Sequence, residues 1–271
     1  MRDITLKELL EAGCHFGHQV TRQNPKAREF IFQAREGVHI IDLAKTRENL
    51  IAAGEFVQTV AKNGGTIVFV GTKRQARSIV LEAAKKARSA SSGQAAVFVV
   101  TERWVGGTLT NIDEVTKNYK KLHDLRAKLV SDEEKAKYTK KEVGMWDKER
   151  VKLDKFYAGI ADLTGLPQAI FIVDTHKEDL AVREANRTGV PVVGIVDTNA
   201  DPTMVDYPIP ANDDAVGSVQ LIVDYITDAW LEGKKEGEKV KAAAEETAKK
   251  EEVKAQEEIK KKEAKTAKKE K

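Results

Sequence analysis

Five short apolar runs rich in β-branched residues punctuate the sequence: VHII (38–41), TIVFV (66–70), AVFVV (96–100), AIFIV (169–173) and VVGIV (192–196). Runs of four or five residues without polar alternation do not suit a half-solvated sheet, and they read as strands buried on both faces. Helix signals separate most of them. Residues 46–62 carry Leu50, Ile51, Phe56, Val57 and Val60 near helical spacing, 73–88 follow Gly71 and Thr72, and 178–188 and 213–231 follow acidic or capping residues. Strand and helix in alternation predict an α/β fold, a parallel sheet with helices on both faces. Ligands of such sheets gather at the carboxyl ends of the strands, here the loops after Val70, Val173 and Val196.

The alternation breaks between the third and fourth runs, where about 70 residues intervene, far more than a crossover requires. Ile112, Val115, Tyr119, Leu122, Leu125 and Leu129 recur at steps of three or four, and Trp146, Leu153, Phe156, Tyr157 and Ile160 form a second, weaker stripe. This reads as an antiparallel helical hairpin over 104–161, inserted into a sheet domain made of 1–103 and 162–232. Two ordinary packing helices would show the same periodicity. After Gly233 the chain is almost pure Lys, Glu and Ala, with only Val240, Val253 and Ile259 as large apolar residues. That composition builds no core, so 233–271 is expected to be a charged tail, partly helical through Glu/Lys pairs and mostly mobile.

Several function classes drop out on composition. One cysteine, Cys14, excludes an internal disulfide and fits a reducing compartment. No apolar stretch nears the roughly 18 residues of a membrane span, and the start MRDITLKELLEAG lacks the apolar core of a signal. The net charge of +3 conceals a division along the chain: 233–271 holds 14 lysines and 10 glutamates, leaving 1–232 almost neutral. Within that body, 71–88 carries Lys73, Arg74, Arg77, Lys85, Lys86 and Arg88 against Glu82 alone, while 191–217 holds five aspartates and no base. The division predicts a molecule positive at one end and negative at another, which suits a protein lying on a polyanion along one side.

No catalytic constellation emerges. The loop VGTKRQA follows a strand and opens a helix, so its N–H groups suit a phosphate, but it lacks the second glycine and Lys-Ser/Thr of a P-loop, and no G-x-G-x-x-G occurs. Asp174 and Asp197 lie just beyond strands, and Asp201, Asp213 and Asp214 can join them around a cation such as magnesium, but capping and turn roles explain Asp197 in DTNADP and Asp213 in ANDDA without catalysis and are favoured here. His15 and His18 are spaced like two metal ligands, with no second pair to complete a zinc site. Stacking on bases, bonding to phosphate or packing under the loop remain the alternatives for these imidazoles. Gly106 and Gly107 in RWVGGTLTN read as a tight turn before a helix, capped by Thr110 or Asn111.

Seven separated strings, GCHFGHQVTRQNPKAREFIF (13–32), GVHIIDLAKT (37–46), VGTKRQA (70–76), RWVGGTLTN (103–111), GLPQAIFIVDTHKE (165–178), ANRTGVPVVGIVDTNADP (185–202) and YPIPANDDA (207–215), resemble in order the bacterial family of small-subunit ribosomal protein two over nearly all of 1–232. The resemblance implies a flavodoxin-like three-layer domain with a coiled-coil hairpin. It also implies a structural role in translation with no catalysis, no cofactor and no metal, on the ribosome in the cytoplasm. The implied partners are 16S rRNA and neighbouring small-subunit proteins, including ribosomal protein one, whose docking the family supports, with no membrane and no small-molecule substrate. Carried onto matching basic strings, it points to His15, His18, Arg22, Lys26, Arg28, Arg35, Lys73, Arg74, Arg77 and Arg103 as RNA contacts, neutralising phosphates more than reading bases. Trp104 is expected to anchor the hairpin's base. The tail and the altered loop at 89–93 depart from the family pattern.

Overall fold

The computed structural model describes residues 2–89 and 96–267, so the 89–93 loop falls almost wholly outside the described residues. The chain opens with α1 (Leu6–Glu11), started by a reciprocal Thr5/Glu8 capping box. Three strands follow, β1 (Phe16–Gln19), β2 (Ile31–Arg35) and β3 (Val38–Ile41), and they form a small antiparallel sheet in the order β1-β3-β2. The run VHII is therefore a strand, but not of the parallel sheet. Its direction is set by Glu36 and Gly37, both left-handed at φ 52° and 80°, the two-residue turn that folds a chain back on itself.

Next come α2 (Leu43–Lys62), capped by Asp42, then β4 (Thr66–Val70), α3 (Arg74–Ser89) and β5 (Ala96–Val100). The long interval is helical: α4 (Ile112–Val130), the short α5 (Asp132–Ala136) and α6 (Lys140–Tyr157). Tyr119 meets Tyr157 edge to face, and the Lys128 ammonium lies over Trp146, so α4 and α6 run antiparallel. The chain returns through β6 (Ala169–Ile172), α7 (Asp179–Thr188), β7 (Val192–Val196), β8 (Tyr207–Pro210) and α8 (Val216–Ala267).

The main sheet is all parallel, in the order β5-β4-β6-β7-β8, the doubly wound arrangement in which the winding reverses between β4 and β6. Its fifth strand is β8, not 38–41. YPIP gives no strand signal because two of its four residues lack an N–H, and the structure accommodates it at the sheet edge, where proline is tolerated. Period-two alternation divides the strands between two cores. Ile67, Phe69, Phe171, Ile195 and Ile209 pack with α2, α3 and α8 residues such as Leu50, Val80, Ile222 and Trp230. Val68, Val70, Ile170, Ile172 and Val192 pack on the other face with Val182 of α7 and the hairpin's root, Tyr119, Leu122 and Tyr157.

Helix α8 does not leave the body at Gly233. It crosses α2 so closely that a Cβ at Gly233 would stand 2.1 Å from the Gln58 carbonyl oxygen, and one at Gly237 2.3 Å from that of Lys62. The Lys/Glu/Ala sequence then continues the same helix to Ala267. Among the described residues no helix is long and apolar enough to cross a membrane.

Candidate functional site

The parallel strands deliver their following loops to one edge, and there the basic and acidic runs of the sequence meet. Lys73, just after β4, extends its ammonium to within 2.8 Å of carboxylate oxygens of Asp174, Asp213 and Asp214, from the loops after β6 and β8. Its side chain is 16% exposed, and Asp213 is 1% exposed. Burial pulls the lysine pKa down, but the attraction of Asp213 and the hydrogen bonds to the three carboxylates outweigh it, so the net shift is upward. Asp213 is pushed up to about 8, by burial first and then by the Asp174 and Asp197 carboxylates, against the pull of Lys73.

His18 ties the small sheet to this edge. Its backbone N–H donates to Asp197 Oδ1 at 3.2 Å and to Thr198 Oγ1 at 3.0 Å, and its Nδ1 lies 3.1 Å from Asp197 Oδ2. The bond to Asp197 raises the imidazole pKa, outweighing burial, with further help from Asp213 and Asp214. One ligand atom each from His18, Asp213 and Asp214 falls within a 4.8 Å span, a spacing that suits a small cation, and the Lys73 ammonium is the cation the structure places against these two aspartates. Asn24 donates its backbone N–H to the Thr198 carbonyl at 2.8 Å, and Lys26 Nζ reaches Asp201 Oδ2 at 2.6 Å and Thr203 Oγ1 at 3.2 Å.

The five aspartates of 191–217 are thus mostly internal ties. Asp201 also caps the turn at Pro202–Met204, and Asp206 accepts from the Val192 N–H. The strand order brings the loops after β4, β7 and β8 together, so Lys73 of the basic run meets Asp213 and Asp214 at one edge, while Arg88 at the far end of α3 donates to the Val97 carbonyl near the start of β5 at 2.6 Å.

The ten sequence-selected residues fall into distinct settings. His18, Arg22 and Lys73 line one open cavity of about 520 Å³ with Asp174, His176, Asn199 and Asp214. Arg22, Arg28, Arg74 and Arg103 are exposed, and Arg35, whose side chain is 75% exposed, lies 3.9 Å from Glu36. Arg103 shares a second cavity with Thr72, Trp104, Lys177 and Glu178. Lys26 is shared with Asp201. Arg77 donates to the Thr72 carbonyl and to Glu102, each at 3.0 Å. His15 sits apart, stacked obliquely on Phe16 with ring centroids 4.0 Å apart, in a groove with Leu10, Gln33 and Arg35, and burial lowers its pKa.

Trp104 is buried in the core beneath the hairpin with Leu109, which makes it an anchor and not a stacking platform. Asn111 occupies the N-cap position of α4 but makes no side-chain capping bond. Glu184 of α7, which the sequence did not single out, bonds the loop before α4 and not the helix start, accepting from the Gly107 and Leu109 N–H groups at 2.7 and 3.0 Å. A glutamate 75 residues downstream gives no local signal.

The sequence profile of the family described as Ribosomal protein S2 matches residues 9–233, a span that includes both sheets, the hairpin and the charged edge. The chain belongs to the ribosomal protein S2 family. It is 45% identical over 256 residues to the small ribosomal subunit protein uS2 of Coprothermobacter proteolyticus, covering 93% of this chain and 91% of that one. It is 46% identical to the uS2 protein of Bdellovibrio bacteriovorus, over 88% of this chain and 73% of that one, and 47% identical to that of Roseiflexus sp., over 89% and 88%. As an S2-family protein it is a structural, non-enzymatic component of the small ribosomal subunit.

Proposed function

We propose that this S2-family protein is held on 16S rRNA by phosphate contacts from its exposed arginines, and that it helps dock ribosomal protein one on the bacterial small subunit in the cytoplasm. The observation that carries the RNA reading is the sorting of the basic residues. Arg22, Arg28, Arg35, Arg74 and Arg103 are exposed and, among the described residues, have no close carboxylate or carbonyl partner, whereas His18, Lys73 and Arg77 are engaged by carboxylates or carbonyls. The first group serves as phosphate contacts. Lys26 exchanges Asp201 for a phosphate, and the second group sets the shape of the loops that carry the first. His15 packs beside Phe16 at the margin of this surface.

Arginine suits the task because its planar fork bonds phosphate oxygens without a particular base sequence. The test is the salt dependence of binding to a 16S rRNA fragment. Replacing Arg22, Arg74 and Arg103 together by Gln lowers affinity and reduces the log–log salt slope by about 0.7 to 0.9 for each lost contact. An unchanged slope overturns the assignment. Docking of ribosomal protein one is tested separately, by its retention on small subunits rebuilt with or without this chain.

A further inference from the structure

The hairpin leaves and re-enters the sheet domain by two legs that are fastened differently. The returning leg is pinned by backbone: the Val99 N–H donates to the Gly159 carbonyl at 3.1 Å, and a Cβ on Gly159 would lie 2.0 Å from the Val99 oxygen. The outgoing leg, loop 105–111, has no strand to pair with. It winds through consecutive turns, with Gly107 left-handed at φ +90° and Thr108 Oγ1 donating to the Val105 carbonyl at 2.6 Å. This winding points several backbone N–H groups inward, a concavity that binds anions.

One side chain fills it. The Glu184 carboxylate, on a residue only 5% exposed, takes the Gly107 N–H on Oε1 at 2.7 Å, the Leu109 N–H on Oε2 at 3.0 Å and the Thr110 N–H on Oε2 at 3.5 Å. No salt bridge neutralises Glu184 among the described residues, so the converging backbone dipoles carry its charge. We propose that Glu184 is the positioning residue of the hairpin: a buried carboxylate from α7 that fixes the outgoing loop, and with it the direction of α4 and the placement of Arg103 immediately before the loop. Apolar packing of Trp104 and Leu109 holds the loop down, but it is non-directional. The carboxylate sets the angle, because two bonds to different oxygens define an orientation. The proposal concerns geometry within the chain and stands whether or not Arg103 touches RNA.

The test uses the full-length chain with spin labels at Lys137→Cys on the hairpin turn and Glu48→Cys on α2, leaving the buried Cys14 in place. Wild-type protein should give one narrow distance distribution. E184A should broaden or displace it, and E184Q, which keeps one acceptor oxygen but turns a donor toward an N–H, should do so partially. Amide exchange at Gly107, Leu109 and Thr110 should accelerate roughly tenfold to a hundredfold in E184A while the β4 and β6 amides stay protected. T188A is the control: Thr188 Oγ1 bonds the backbone oxygens of Glu184 and Ala185, so its loss weakens α7 without touching the carboxylate and should leave the distance unchanged. An unaltered distribution in E184A overturns the proposal. So does broadening equal to that of T188A, and so does global unfolding of both Glu184 variants with loss of the sheet, since Glu184 would then be a general stability residue.

Discussion

Replacing Lys73 by methionine removes the ammonium while keeping most of its stem, and it leaves Asp174, Asp213 and Asp214 facing one another. Removing one partner of a buried ion pair costs about 3–5 kcal/mol, because the remaining charge is left in a poor solvent for it. Asp213 is 1% and Asp174 7% exposed, but Asp214 is 55% exposed and Lys73 itself 16%, so water screens part of the deficit. The low end, about 3 kcal/mol, is the expected loss. At 2–4 °C per kcal/mol for a chain of this size, the melting temperature should fall by roughly 6–12 °C. The carboxylates can escape by taking up a proton, so the K73M deficit should be smaller at pH 6 than at pH 9. Thermal melts at both values read this directly, and rRNA titration at several salt concentrations supplies the second axis. Lys73 already has its anions within the protein, so the salt slope should not change in K73M. A variant that melts with wild type yet loses close to one unit of salt slope would refute the reasoning, because Lys73 would then be reaching phosphate and not the aspartates.

Asp213→Asn should flatten the alkaline side of the stability profile: the native carboxyl titrates well above its ordinary 3.8, so the folded chain holds a proton the unfolded chain releases, and stability falls as pH rises toward 8. His18 adds the same sign, its raised value giving stability that is present below 6.5 and lost as pH climbs through the folded value, so part of the slope should survive in D213N melts from pH 5 to 9. Gly233→Ala gains about 1 kcal/mol of helix propensity yet drives a methyl to 2.1 Å from the Gln58 oxygen, and separating α8 from α2 wins, for a net loss of about 2 kcal/mol or more in urea unfolding. Glu36→Asn should stabilise by roughly 0.5–1 kcal/mol, since Glu36 is the one non-glycine described residue at positive φ and Asn-Gly suits this turn; a destabilised variant would contradict the turn assignment.

Burial made β4, β5, β6 and β7 legible, because strands of a parallel sheet covered by helices on both faces carry four or five consecutive apolar residues. The same logic placed Val38–Ile41 in the wrong sheet. Its pattern is apolar, but half of it faces the groove beside Phe16, and only the Glu36-Gly37 turn betrays the antiparallel partner. Edge strand β8 carried no signal because prolines remove the donors that a strand pattern presumes. The basic residues were legible as residues and not as surfaces: Lys73 and Arg74 are neighbours in sequence, yet one is enclosed by three aspartates from distant loops and the other faces water. Glu184 was invisible because its partners are backbone amides, which every residue type supplies.

The central claim, a scaffold held on small-subunit RNA through exposed arginines, is tested most directly by sedimenting lysate from cells carrying the tagged chain and sequencing the RNA crosslinked to it. The account predicts co-migration with the small subunit at low and high salt, with 16S rRNA crosslinks at Arg22, Arg28, Arg74 or Arg103 and none at Lys73. Sedimentation at the top of the gradient in both salts, or crosslinks through Lys73 with the arginines silent, would contradict it.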